Sequence, residues 1–301
     1  MYTLSSSFDD AKPKLINGKI VWAGCPSLKQ CFSLPYSIMY YMSRNPSSAE
    51  AYNKLIQCCK YFFEKNPILV AADLFGKTKI CSNEECRGDN EENCCVEIDM
   101  AKLSNKIWIT NNISLKEENI SLFASLIVPK LYRWKNVNFY YIQNGFKYTD
   151  FKSYAALLID IDFFKAQIIN DEDGSVVMLE KVLEDVPNVK IFEYSFSNDF
   201  SMINASTMRK INTLKNLQHL ESFTLAGLPE LFNIEDISTF IKDHPAIKIC
   251  LSFNYQISEE YKTQLDALID TVIEAAVPKH LICYTGQNEE KYEIMNRRYE
   301  D

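Results

Sequence analysis

Glycine is scarce in this chain, at eight of 301 residues. So few glycines leave little room for loops that cradle phosphate through bare backbone, or for the many tight turns of an all-β fold. Histidine is scarcer still: only His219, His244 and His280 occur. A basic surplus is also missing. Lys and Arg number 32 against 40 Asp and Glu, for a net charge of −8 and a pI of 5.1. A nucleic-acid partner needs clustered cations to neutralise phosphates. The nearest approach, Lys130–Lys135 with Arg133, is short, so no nucleic acid is expected. The longest apolar runs, such as 155–159, fall far below the roughly 20 residues that span a bilayer. The opening MYTLSSSFDDAKPKL has neither the basic nor the apolar part of a secretory signal. The expectation is an intracellular protein, cytoplasmic or nuclear, with no membrane partner. Gly-x-Ser-x-Gly, His-Glu-x-x-His, the P-loop and the dinucleotide fingerprint are absent, which predicts no catalysis and no cofactor.

What the chain does have is a folded composition, 47% apolar and 24% charged, and ten cysteines. Without a secretory signal, reduced thiols are expected rather than disulfides. Cys81, Cys86, Cys94 and Cys95 are dense enough to raise a tetrahedral zinc site. Their spacing lacks paired Cys-x2-Cys knuckles, however, and adjacent cysteines rarely ligate one ion well. The favoured reading of 76–95 is a polar loop with independent thiols and no metal.

From about residue 137 an alternation of strands and helices sets in. Strand-like runs at 137–142, 159–164, 189–196, 220–225 and 247–253 alternate with helix-like runs at 149–158, 176–186, 205–217, 234–243 and 259–275. A further helix-like run at 115–128 stops at Pro129. Junctions recur at Val186-Pro187-Asn188-Val189, Leu217-Gln218-His219-Leu220 and His244-Pro245-Ala246-Ile247. A helix, a short turn and an apolar-x-apolar strand at this spacing predict an irregular, leucine-rich-repeat-like β–α solenoid within the α/β class. An ordinary open α/β sheet would give the same alternation. The predicted organisation is an irregular lead at 1–33 with an Asn17-Gly18 hairpin, a helical segment at 34–75, the Cys-rich loop at 76–95, the β–α region at 96–285 and a polar tail at 286–301.

The helical segment is the most distinctive part. Leu34-Pro35 opens it, Pro suiting a helix start. Ile38, Tyr41 and Met42 recur at helical spacing. Pro46 breaks the first helix, and Ser47 with Glu50 suggests a capping box for the next. Tyr52, Leu55, Ile56, Cys59, Phe62 and Phe63 then recur as an apolar face. Short helices with such wide apolar faces must pack on the rest of the chain or on a partner.

Leu34-Pro35, Ile38, Met42, Pro46, Leu55-Ile56 and Cys59-Lys60-Tyr61-Phe62 together resemble an F-box. The usual acidic residue after Leu-Pro is replaced by Tyr36-Ser37, and Phe stands for Trp near the end. CKYFFEKNPILV, KIWIT, LIVPKLYRW and DGSVVMLEKVLEDVPNVK extend the resemblance to the divergent F-box families expanded in nematodes. The resemblance implies docking to a Skp-type adaptor of a cullin-based ubiquitin ligase through Leu34, Pro35, Ile38, Met42, Leu55, Ile56, Cys59 and Phe62. The repeat region would then bind a protein substrate. The alternative is a stand-alone interaction solenoid whose end residues 34–63 merely cap.

Other acidic groupings read as scaffold. Asp160 and Asp162 share a strand face, read as solvated rather than as a glycosidase pair. Asp171-Glu172-Asp173-Gly174 lacks the remaining ligands of a calcium loop and reads as a turn. His219 and His244 occupy matching helix-to-strand junctions, which is a structural address.

Overall fold

Local preference sets the element boundaries and side-chain alternation sets the packing in the computed structural model. It describes residues 14–16, 19–21, 33–76, 79–81, 94–140, 145–275 and 279–300. The fold is mixed α/β, and no closed barrel forms among the described residues. The chain divides into two compact units, Met1–Ile113 with Ser125–Lys135, and Ser114–Ala124 with Asn136–Asp301. The Asn17-Gly18 turn, Cys86, Tyr141 and loop residues 82–93 lie outside the described residues.

In the first unit, β1 (Lys14–Ile16) and β2 (Lys19–Val21) pair antiparallel, Lys14 opposite Val21. The helical segment forms three helices, α1 (Tyr36–Arg44), α2 (Ala49–Cys58) and α3 (Lys60–Lys65). Cys59 makes the extra break. It is extended at φ −157°, and its Sγ accepts from Tyr61 N at 3.4 Å, capping α3. Ser48, not Ser47, caps α2 by accepting from Ala51 N at 3.1 Å. That shift leaves Glu50 inside the first turn, where it pairs with Lys54 at 2.6 Å, an i,i+4 ion pair in the favourable order. Strands β3 (Ile68–Ala71) and β4 (Asp73–Phe75) follow, then β5 (Lys79–Cys81), β6 (Cys95–Glu97) and β7 (Lys106–Ile109). Strand β8 (Asn112–Lys116) lies across the division between units, and β9 (Leu131–Arg133) returns to the first. Strands β3, β7 and β9 make a parallel sheet, and β4, β5 and β6 pair antiparallel. The expected helix at 115–128 is shorter. Ile113 and Leu115 alternate as strand residues, α4 (Glu117–Leu122) follows, and the chain then tightens through π-helical 123–127 into a 3₁₀ turn at Pro129.

The second unit is built on parallel strands that pair in sequence order: β10 (Asn136–Tyr140), β12 (Asp160–Phe164), β14 (Ile191–Ser195), β15 (Ser222–Leu228), β16 (Lys248–Phe253) and β17 (His280–Cys283). A side pair, β11 (Phe146–Lys147) with β13 (Ile168–Ile169), is also parallel. The connecting helices are α5 (Tyr148–Ala155), α6 (Leu179–Glu184), α7 (Thr207–Asn212), α8 (Ile234–Asp243) and α9 (Glu259–Glu274). Helices α6 to α9 pack in succession. Where the sequence suggests a polar tail, residues Glu289–Glu300 form a further helix, α10, with Met295 buried.

Alternation on these strands sends one set of side chains into an aromatic core. Phe139 stacks on Phe163 at 4.8 Å, Phe163 meets Phe192 at 6.0 Å, and Phe192 stacks on Phe223 at 5.9 Å. The helices reach the same rings: Phe151 of α5 touches Phe163, and Phe240 of α8 lies 5.3 Å from Phe223. Gly227 is the one exception to regular pairing in β15. The register shifts between Ala226 and Leu228, and Gly227 takes φ +75° with the Phe196 carbonyl oxygen 3.2 Å from where a Cβ would stand. A residue with a Cβ is strained in that conformation. Gly227→Ala is expected to lower stability by about 1–2 kcal/mol, read from the midpoint of urea unfolding at unchanged slope.

Candidate functional site

Two surfaces collect the residues with chemical or docking potential, one in each unit. The first is the helical segment. Tyr52 anchors it. Its ring is fully buried with Ile68 and Trp108, and Ala49, Ile56, Val70 and Tyr132 pack around that cluster. The Tyr52 hydroxyl accepts from Ile68 N at 3.0 Å and donates to Asn66 O at 2.7 Å. Burial pushes that phenol up to about 12, so it remains a neutral donor at any physiological pH. Asn66 Nδ2 donates to Ser43 O at 3.0 Å, Tyr132 to Arg44 O at 3.1 Å and Arg133 to Pro46 O at 3.0 Å. The carbonyls of Ser43 and Arg44, freed where α1 ends, and that of Pro46 just beyond are thereby satisfied by side chains from elsewhere in the unit.

The eight docking residues named from the sequence separate by exposure. Leu34, Pro35 and Ile38 are exposed; Met42, Leu55, Ile56 and Cys59 are half-buried; Phe62 is buried. Ile56 faces the Tyr52 cluster, and Phe62 lies edge-on to Tyr61 at 5.7 Å. Pro35 is the residue before α1, and its carbonyl accepts from Ile38 N and Met39 N at 3.0 and 3.1 Å. Met39 and Ser43 form the buried side of α1, so the stripe of Ile38 and Tyr41 faces solvent. Sequence reasoning passed over Tyr36 and Tyr40. They stand four apart, stack at 6.3 Å and are 63% and 44% exposed, and Leu34, Ile38 and Tyr41 are exposed as well. The i,i+4 spacing of the two tyrosines was the available signal.

The second surface is the non-core face of the parallel sheet. Register aligns Asn138, Asp162, Glu193, Thr224 and Cys250 in one row across five strands. Asp160 and Asp162 do share a face, but Asp160 is buried, so that face is not simply solvated. Burial, then the neighbouring Glu193, raises Asp162 to about 6; desolvation raises Glu193 as well. Burial, then Cys283, pushes the Cys250 thiol up to about 12. Tyr299 of α10 also reaches this face, its ring 4.0 Å from Lys248 Nζ. Nearby, a cavity of about 1020 Å³ is lined by Ile159, Lys190, Glu221, Lys248, Lys279 and Tyr299, among others. These residues mark the N-terminal ends of the strands, whereas open α/β sheets bind their ligands beyond the C-terminal ends. Lys190 is paired to Glu221 at 2.6 Å.

The remaining sequence candidates have structural partners. Asp171 accepts from Thr149 N at 2.9 Å and Thr149 Oγ1 at 3.0 Å, holding the start of α5. Asp173 accepts from Ser175, and Gly174 turns the chain at φ +70°. His244 donates to Asn212 Oδ1 at 2.9 Å, bridging α8 to α7. Three of the four loop cysteines, Cys81, Cys94 and Cys95, come together in the first unit, all their sulfurs within 4.8 Å of one another. No described helix is long and apolar enough to cross a membrane.

No known family model matches the chain, and no curated protein matches its sequence.

Two outcomes follow from these anchors. Tyr52→Phe leaves Ile68 N and Asn66 O without the buried hydroxyl and is expected to cost about 1–3 kcal/mol, with loss of protection at the Ile68 amide in hydrogen exchange. Asp162 has its carboxyl raised from 3.8 to about 6 in the folded state, so the fold binds a proton that the unfolded chain releases. Its stabilising contribution is whole below the unfolded value and is lost as pH rises through about 6. Asp162→Asn should therefore stabilise the protein at neutral pH by about 1 kcal/mol, discounted for solvent screening, with the gain vanishing toward pH 4 in a pH series of unfolding curves.

Proposed function

We propose that this chain is a non-catalytic substrate-recognition adaptor of a cullin-based ubiquitin ligase. Residues 34–63 dock on a Skp-type adaptor, and the β–α region, a leucine-rich-repeat-like solenoid, binds a protein substrate. The observation that carries the reading is the exposure of Leu34, Tyr36, Ile38, Tyr40 and Tyr41 on and just before a helix whose carbonyl end is pinned by Asn66, Tyr132 and Arg133. Aromatic side chains presented on a fixed helix bind partners at little cost in lost freedom. The solenoid part of the reading is supported by strands that pair in strict sequence order. Helices α6 to α9 pack on one another in succession, as stacked repeats would have them. The polar row from Asn138 to Cys250 lies on the sheet face opposite the aromatic core and suits a protein surface better than a small substrate.

A second reading, a stand-alone interaction protein in which the segment is a cap, is favoured by the burial of Tyr52, Phe62 and Phe63. The two readings differ in what the exposed residues do. Co-expression of the full chain with a Skp-type adaptor should yield a stable complex. Leu34→Ala with Pro35→Ala, or Ile38→Ala alone, should weaken it roughly tenfold or more at unchanged thermal stability. Absence of a complex, or affinity unchanged by those substitutions, rejects the adaptor reading in favour of the cap.

A further inference from the structure

Cys81 is the last residue of β5 and lies directly opposite Cys95, the first residue of β6, in the antiparallel register. Cys94 occupies the turn just before β6. Adjacent residues within a strand point to opposite faces, which is why neighbouring cysteines so seldom serve one ion. Cys94 escapes that rule because it precedes the strand, and its sulfur can fall on the same side as that of Cys95. The Sγ atoms of Cys81 and Cys94 are 3.3 Å apart, and all three sulfurs lie within 4.8 Å of one another. A disulfide would bring two sulfurs to about 2.05 Å. Zinc thiolates, with metal–sulfur bonds of about 2.3 Å, space their sulfurs roughly 3.8 Å apart around a tetrahedral ion. The observed spacing is too long for a disulfide, and small movements of the three sulfurs would bring them to the second arrangement. Cys81 is buried, only 1% exposed, while Cys94 and Cys95 are half-buried. One ligand is thus sealed into the unit, and the other two border solvent, through which an ion can enter.

We propose that Cys81, Cys94 and Cys95 form a binding site for a thiophilic d¹⁰ metal ion, with zinc as the expected occupant. Each thiol releases its proton as its sulfur bonds the ion, so binding expels protons and strengthens with rising pH. Three thiolates supply one face of a tetrahedron, and the fourth position takes a further donor or water. The ion would tie β5 to β6 across the long connection between them, fixing a hairpin that only three residues on each strand otherwise hold. The site is independent of the adaptor reading, since it uses none of the docking residues.

The test uses the full chain, purified metal-free under reducing conditions and titrated with cobalt(II) as an optical probe. One equivalent should produce thiolate-to-cobalt charge-transfer and tetrahedral d–d bands, and zinc should bleach them. Cys81→Ser and Cys95→Ser should each reduce cobalt affinity at least tenfold, by roughly 1.4 kcal/mol. Cys58→Ser, at an exposed thiol at the end of α2, should leave the titration unchanged. Circular dichroism of each variant separates lost ligation from lost folding. Should Cys81→Ser fail to fold, the half-exposed Cys95→Ser decides alone. Copper(I) bound at the same stoichiometry, and lost in the same variants, also supports the site. Absence of the bands in reduced protein, bands unchanged when all three residues are serine, or a disulfide between any two of the three in protein isolated from cells overturns it.

Discussion

In-register parallel pairing is the constraint on which most of the second unit rests. Each strand begins where the preceding junction offers a carbonyl. Lys190 N donates to Ile159 O at 2.8 Å, Ser222 N to Lys190 O at 2.9 Å, and Lys248 N to Glu221 O at 2.9 Å. Once those first bonds fix the register, alternation decides everything perpendicular to the sheet. Phe139, Phe163, Phe192 and Phe223 fall on the core side. Asn138, Asp162, Glu193, Thr224 and Cys250 fall on the other. A slip of one residue in β12 or β14 would place a carboxylate among the phenyl rings, at a cost far above that of any single contact. The raised carboxyl of Asp162 is the residual cost of the correct register. Burial first, and then Glu193 at the equivalent position on the adjacent strand, raises it, and the fold tolerates this because the alternative is worse.

The first unit depends on a different device, a buried tyrosine hydroxyl that stands in for secondary structure. Between α3 and β3 the chain leaves a helix at Asn66, whose amide still bonds Phe62 O, and enters a sheet at Ile68. Tyr52 covers the gap by accepting from one amide and donating to one carbonyl, while its ring joins the Ile68 and Trp108 cluster. One residue therefore couples α2 to the sheet both apolarly and through hydrogen bonds. With α2 held, the exposed residues of α1 cannot simply fold inward to hide their apolar surface. This physical background is what gives the proposed docking its weight. Exposed tyrosines on a loosely tethered helix would signify little, whereas on a helix tied at its end by Tyr132 and Arg133 they form a defined surface.

Elements with a strong period were legible in the sequence. Helix α8 spans Ile234–Asp243 and α9 covers Glu259–Glu274, close to the expected 234–243 and 259–275, because Ile237, Phe240 and Ile241, or Leu265, Leu268 and Ile269, mark one buried face. The strands at 159–164 and 247–253 are similarly close. Where local chemistry was subtle the reading failed. Ser47 and Ser48 are indistinguishable as caps until the backbone at Ser48 is seen to be extended, and Cys59 gave no sign of being a helix break. Strand β17 has four residues and a histidine, so its apolar run is too short to announce itself; His280 enters the core neutral, its pKa lowered by burial. Of the docking residues, Leu34 and Ile38 are exposed, whereas Ile56 and Phe62 pack within their own unit. Periodicity reports that a face is apolar without reporting which neighbour covers it.

The same limit explains the cysteines. Spacing along the chain argues against a shared ion because it treats Cys94 and Cys95 as strand neighbours on opposite faces. The pairing of β5 with β6 changes the geometry: Cys95 takes its place opposite Cys81, and Cys94, one residue outside the ladder, is released to turn toward them. What brings three thiols together is therefore a strand boundary. A shift of that boundary by one residue would put Cys94 inside the ladder and send its sulfur to the far face. The cluster thus exists only because the hairpin starts at Cys95, and an ion held there would reinforce the register that creates its own site.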